Sequence, residues 1–422
     1  MIIKLTADLE VETELPFKKV LDFGYSWKTD CHAALHVRGY LDKSASWDDF
    51  LQDASPIKIW MGEGEERKII FAGIIAGLEI QDEGNLELAA VYAASASILL
   101  DCEKSSRSFQ NTEKTYGEVA REAAGICGGS VIRNREQDRK IEEPVIQYEE
   151  TAWQLAAGLA ARVGTCIIPD IATGRPNFWF GMRKGSEILP FSEEEYTMDL
   201  FPSGKYSPVH YEAEGRNHAC IGDTLVYLNR KLVITEVEGR YENGEATFRY
   251  VMREAGEARK DIPVCHTAAG LGLWGTVMEV KGESLRLALD IDGGRETGNY
   301  FYPWQPDTGN ALYAMPEAGA RALLYFYHAD KTDGAVIHCI NKKDAEKDYK
   351  KRALDTEAGN GLHLWDEEAG VYRGDKHKME LGNSTIAAKT QKEMEVTAGG
   401  SVFLRGRRIM IKTSGEFNIS QA

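Results

Sequence analysis

Three groupings in this chain have residue types and spacings that could do chemistry. Gly270, Gly272 and Gly275 spell GLGLWG, the glycine spacing of a dinucleotide-binding fingerprint. Such glycines cradle a pyrophosphate only where a strand leads in and a helix leads out. Here TVMEV follows in a strand pattern, so the glycines are expected to let the chain enter a tight barrel. Cys31-His32, Cys265-His266, His338-Cys339, and His218 with Cys220 set soft metal ligands side by side. Adjacent residues on a strand point to opposite faces and no spaced second pair completes a zinc set, so these are expected to be buried thiols beside surface imidazoles. Glu193 to Glu195, and Asp366 to Glu368 after Trp365, offer carboxylates. A hydrolase needs two carboxylates held across a cleft with their proton affinities pushed apart, whereas runs of neighbours on polar turns are solvated surface. No Ser-His-Asp order, HExxH or phosphate-cradling loop is present. The sequence therefore assigns no catalytic, cofactor-binding or metal-ligating residue, and no cofactor is expected.

Composition narrows the class further. With 422 residues, 43% hydrophobic and 27% charged, the chain has room for several globular domains. A net charge of -16 argues against nucleic acid, which requires a basic face. No apolar run is long enough to span a bilayer, so no stable membrane insertion is expected. The opening MIIKLTADLEVETEL does not fit a secretory signal. Seven scattered cysteines, none in CxxC, read as reduced thiols of a protein made in the cytoplasm.

The elements that must position these residues read mainly as strands. Residues 1–105 are β-rich, with PIKIWMGEGEERKIIFAGIIAGLEI as strand, turn at Gly62 and Gly64, and strand. In 106–195 the period changes. Thr115 with Glu118, and Thr151 with Gln154, have the spacing of capping boxes, and Gly125 and Gly164 lie where C-terminal caps belong. In the second helix Trp153, Ala156, Ala160 and Val163 share a face beside Leu155 and Leu159, a core-facing stripe. Residues 196–262 return to strands with turns at Asn229 and Asn243-Gly244, and a charged stretch from Glu254 to Asp261 leads to a boundary near 262. Five short strands within 263–343 suggest a small closed barrel of the OB type. Residues 344–378 read as a solvated linker and a hairpin.

The last stretch, 379–422, is a repeat. Apolar pairs two apart, Met379/Leu381, Ile386/Ala388, Met394/Val396, Val402/Leu404, Ile409/Ile411 and Phe417/Ile419, start at intervals of 7, 8, 8, 7 and 8 residues. Turn formers (Gly382, Asn383, Gly399, Gly400, Gly406, Ser414, Gly415) lie between them. A fixed short period of strand and turn means stacked units, each showing one apolar face. A single ladder leaves that row and its strand edges open to water, so several copies are expected to wind together. The alternative is a β-meander packed on the rest of the chain.

In this order of parts the chain resembles the valine-glycine-repeat protein G family of type VI secretion and the hub-spike proteins of contractile phage tails. The resemblance rests on RSFQNTEKTYGEVAREAAGI, on IQYEETAWQLAAGLAARVG with Tyr148, Glu150 and Thr151, on the barrel stretch with Tyr313, Met315, Pro316, Glu317 and Gly319, and on the terminal repeat. It implies a mainly β fold with a small α/β part: a hub of β-barrels with two helices, an OB-type barrel, and a C-terminal intertwined triple-stranded β-helix. It also implies a homotrimer on a ring of tube protein among baseplate proteins, possible effector cargo, and delivery outside the cell in an injection particle or phage tail. The role would be structural rather than enzymatic, the needle being driven through a target envelope by sheath contraction. Its axis would be lined by Met379, Leu381, Ile386, Met394, Val396, Val402, Leu404, Ile409, Ile411, Phe417 and Ile419. Two departures matter. The interval 344–378 is too short for the muramidase of some phage members, and no His-x-His supplies a metal-binding apex, so a separate tip-sharpening protein is expected. The competing readings are a cell-wall-degrading baseplate enzyme and a trimeric β-helical adhesin.

Overall fold

Alternating burial along the strands builds the hub. In the computed structural model, Leu9, Val11 and Thr13 face inward while Glu10 and Glu12 are only half-buried, as a sheet with one packed face requires. The described residues are 1–6, 8–42, 54–188, 197–201, 210–227, 229–254, 270–306, 314–328, 331–340, 352–356 and 358–419. Glu193 to Glu195, Cys265-His266, Tyr313, the boundary near 262 and the first part of the 344–378 linker lie outside them. The chain divides into two units, Met1–Lys342 and Lys343–Ala422. It is mainly β, as expected.

In the first unit, strands from 1–105 and from 196–262 share one twelve-stranded antiparallel sheet. They join where Phe17–Lys28 pairs with Arg230–Glu242, Gly239 lying opposite Tyr25. A Cβ on Gly239 would stand 2.2 Å from the Tyr25 ring, so the join needs glycine there. One core continues across it, from Leu9, Phe23 and Ile59 to Ile234, Phe248 and Tyr250. The turns at Asn229 and Asn243-Gly244 have the positive φ that tight hairpins demand.

Helices α1 (Tyr116–Ile126) and α2 (Ala152–Arg162) both begin in the capping boxes expected, Thr115 with Glu118 and Thr151 with Gln154. Trp153, Leu155, Ala156, Leu159 and Ala160 are buried, with Val163 packed at the edge of that core. Gly164 closes α2 at φ 69°, but α1 runs past Gly125 and is closed by Gly128 at φ 75°. The correction has a local cause: the left-handed residue sits just beyond the last helical turn, and only Gly128 is there.

The strands Leu271–Lys281, Ser284–Leu289, Tyr302–Pro303, Arg321–Phe326 and Ala335–Ile340 form a five-stranded sheet in the order third, second, first, fourth, fifth. A parallel bridge from Trp304 to Val336 brings the third strand to the fifth and closes the barrel. That is the OB order. GLGLWG lies at the start of its first strand, so no helix follows the glycines.

In the second unit five strands from Arg352 to Lys389 form an antiparallel meander. Its register puts Leu354, Leu362, Val371, Met379 and Ala388 in one cross-strand row and Leu364, Ala369, Leu381 and Ile386 in the next, all on one face. On the other face His363 bonds Asp355 at 2.7 Å and lies over Tyr372.

The expectation of buried thiols beside surface imidazoles is overturned. Cys31 is exposed, while the His32 ring is half-buried 4.2 Å from Trp153. Asp30 takes φ 61° and its carboxylate accepts from Ile167 N–H, so this stretch is a turn, not a strand, and the next residues do not alternate. His338 and Cys339 are both exposed. His218 stands edge-on to Phe248 at 5.2 Å with both ring nitrogens shielded from solvent. Burial, reinforced by the charge of Lys68, pushes its imidazole down to about 3. The folded chain thus holds His218 neutral where the unfolded chain protonates it, so stability is lost as pH falls from about 6.5 toward 3, by up to about 1.4 kcal/mol per unit. The thermal midpoint should fall between pH 7.5 and pH 5, and fall less in His218→Phe; equal falls would contradict this placement.

Candidate functional site: the hub–barrel joint and the uncovered apolar row

The placement of the folded parts depends on the joints between them. The one between hub and barrel is built from Ser105–Phe109 and Val145–Glu150, a two-stranded ribbon. Ile146 of this ribbon is buried among the barrel residues Leu273, Leu287 and Tyr302, with Tyr148 packed at its rim. Lys331, only 7% exposed, donates to the Ile146 carbonyl at 3.0 Å and to the Glu150 carboxylate at 2.6 Å. Ser108 donates through its N–H and its hydroxyl to the two oxygens of Asp292, at 2.7 and 2.6 Å. Gln110 reaches the Leu287 carbonyl, and Glu143 accepts from Asp333 N–H at 3.0 Å. A Cβ on Gly298 would lie 2.4 Å from the Gln110 backbone, so the barrel loop approaches this closely only as glycine. The joint is charged at its centre and bonded on both sides, and because each bond is directional it fixes how the two folds meet.

The tyrosine-glutamate-threonine run falls at this joint. Tyr148 borders the barrel core, Glu150 holds Lys331, and Thr151 caps α2 while its hydroxyl donates to Asp101. Asp101 also stands 3.5 Å from His32 Nε2, whose Nδ1 is 2.8 Å from the Ser97 hydroxyl. Serine, histidine and aspartate are the residues of a hydrolytic triad, but Ser97 is fully buried and shares its hydroxyl with Ser95. No substrate carbonyl can reach it, and the cluster pins the start of α2. A cleft beside α2 is lined by Gln137, Arg139, Arg183 and Lys184 among others. Three of its cations are engaged, Arg183 with Asp223, Lys184 with Glu136 and Arg139 with the Arg162 carbonyl. Among the described residues no group of three or more His, Cys, Asp or Glu is gathered to hold a metal ion.

In the second unit the expected needle residues are brought together only in part. Met379, Leu381 and Ile386 lie on the meander's apolar face. Met394, Val396, Val402, Leu404, Ile409, Ile411, Phe417 and Ile419 follow beyond the last strand, each more than half exposed. Among the described residues, 390–419 make no backbone–backbone hydrogen bond. One chain leaves its apolar row exposed, and in this stretch Lys392 N–H and Gly415 N–H donate to threonine hydroxyls rather than to a neighbouring strand.

The sequence did not single out Lys331 or Asp292. Both lie in polar turns, KTDG and DIDGG, whose composition reads as solvated surface. The only available signal was Glu150 within the motif run. Replacing Lys331 with Met strands the Glu150 carboxylate in the joint and should cost roughly 3–5 kcal/mol, while Lys331→Met with Glu150→Leu should recover most of it. Thermal unfolding checks this; a single variant as stable as the parent would show that the pair is not buried in solution.

No protein-family model and no curated protein matches the chain. Solved structures do. A component of the type VI secretion system of E. coli, c3393, described as structurally similar to the T4 tail proteins gp27 and gp5, aligns with TM-score 0.56 and 13% identity over 79% of this chain and 99% of that one. A VgrG complex with PdpA in its lidless form aligns with TM-score 0.58 and 8% identity over 89% of this chain and 94% of that one. The lidded form from Francisella gives TM-score 0.59 and 8% identity over 89% and 77%. Across hub, helices and barrel, the chain has the fold of the valine-glycine-repeat protein G and contractile-tail hub-spike proteins that its motifs resemble.

Proposed function

We propose that the chain is the homotrimeric hub-spike of a contractile injection machine of the type VI, phage-tail or tailocin kind. Residues 1–105, 106–195 and 196–262 make the hub, which sits on a ring of tube protein among baseplate proteins. The OB-type barrel, 263–343, leads through 344–378 to an intertwined β-helical needle, 379–422, with the apolar pairs on its axis. Sheath contraction drives the needle through a target envelope. The protein is made in the cytoplasm and acts in a particle delivered outside the cell. Its role is mechanical, and a separate tip-sharpening protein completes the point. The PdpA complex of the similar VgrG structures supports effector cargo as a further partner.

The observation that carries this reading is the apolar row on a chain whose other parts have hub-spike folds. Val402, Leu404, Ile409 and Ile411 are 54 to 76% exposed in one copy, on backbone with open hydrogen-bonding groups. Three copies would bury the row and pair the edges together.

Light scattering on the full chain should give three times 47.0 kDa. Val402→Asp and Ile409→Asp place charges on the axis, each costing several kcal/mol, and should lower that mass. A single-copy mass for the parent chain, with the terminal segment resistant to protease, would overturn the reading.

A further inference from the structure

If each apolar pair faces the needle axis, the residue between its members faces outward, because neighbours on a strand alternate. Those middle residues are Glu380, Ala387, Glu395, Phe403, Met410 and Asn418. Four are polar or small. The fourth and fifth are large and apolar, and in the chain Phe403 is 88% and Met410 57% exposed. A rod whose outer surface only has to be wet has no use for them there.

The same two units carry an unusual charge. Between Glu395 and Glu416 there is no acidic residue, but there are Arg405, Arg407, Arg408 and Lys412. Four cations thus cluster in a chain whose net charge is -16, and among the described residues none of them forms an ion pair. Arg405 and Lys412 share the outward parity of Phe403 and Met410, while Arg407 and Arg408 follow the turn at Gly406. Three copies would set them in one narrow girdle, with three times the charge and three apolar knobs per level.

We propose that this girdle is a docking site for an anionic lipid surface. Arginine and lysine would take the headgroup phosphates while Phe403 and Met410 enter the boundary between headgroups and acyl chains. Charge complementarity calls for an anionic occupant, and the pairing of phosphate-binding cations with large apolar side chains matches interfacial attachment to lipid rather than a deep protein groove. The acidic flanks at Glu395 and Glu416 confine contact to the girdle and keep attachment reversible. This inference rests on the needle reading and adds to it a specific lipid contact along the needle.

The test is flotation of the full chain with vesicles of phosphatidylcholine alone and of phosphatidylcholine containing phosphatidylglycerol, with the mass of every variant checked by light scattering. The parent chain should bind the anionic vesicles and not the neutral ones, and added salt should weaken binding. Phe403→Ser with Met410→Ser should lose binding while keeping the oligomeric mass. Arg407→Gln and Arg408→Gln should each weaken it roughly fivefold or more. An oligomer of full mass that ignores anionic vesicles, or binds neutral ones equally, overturns the proposal while leaving the needle standing. Capture on polyglutamate beads without vesicle binding would assign the girdle to an acidic protein and also overturn it. A parent chain of single-copy mass would overturn the needle and the girdle together.

Discussion

The constraint on which the rest depends is that the terminal segment cannot satisfy itself. A rung with one apolar pair and a turn of glycine or serine has no second layer to cover it, and in the chain the pairs from Met394 to Ile419 stand more than half exposed. The main chain of the same stretch makes no backbone–backbone hydrogen bond among the described residues. An uncovered apolar row and an unpaired backbone are separate deficits with different physical origins. One remedy removes both: further strands laid alongside. In the proposed needle, identical copies would supply matching turns every seven or eight residues.

The meander from Arg352 to Lys389 shows the same logic at an intermediate stage. Its three inner strands pair on both sides, yet Leu354, Leu362, Val371 and Met379 still face outward in a row. In the hub and barrel the exposed apolar residues, such as Leu86, Ile132 and Met278, are scattered, while the buried ones among the described residues gather in three cores, and the joint places a buried ion pair and a bidentate serine–aspartate contact where the two folds meet. A buried ion pair contributes little net stability against an apolar substitute, but it penalises any displacement that separates its members. That property holds the two folds in one relative geometry.

What could be read from sequence follows from how local each determinant is. The capping boxes at Thr115 and Thr151 lie within one helical turn, and the structure has both. The barrel strands are short, alternate cleanly and follow one another, so their count was legible. The pairing of Phe17–Lys28 with Arg230–Glu242 was not, because nothing local marks which distant strand an edge will meet. Lys331 and Glu150 are 181 residues apart, and neither environment is written in its neighbours. Gly125 and Gly128 differ by less than a turn, and composition alone does not say which residue is left-handed. Cys31 and His32 were misread because Asp30 turns the chain, which makes strand parity meaningless there.

Amide hydrogen exchange across 394–411 in the intact protein tests the central claim most directly, since it reports whether those backbone groups are hydrogen-bonded. The account predicts slow exchange there, comparable to the hub strands, because neighbouring copies supply the partners that one chain lacks. Exchange at the rate of an unstructured peptide, under conditions where the hub is protected, would contradict it.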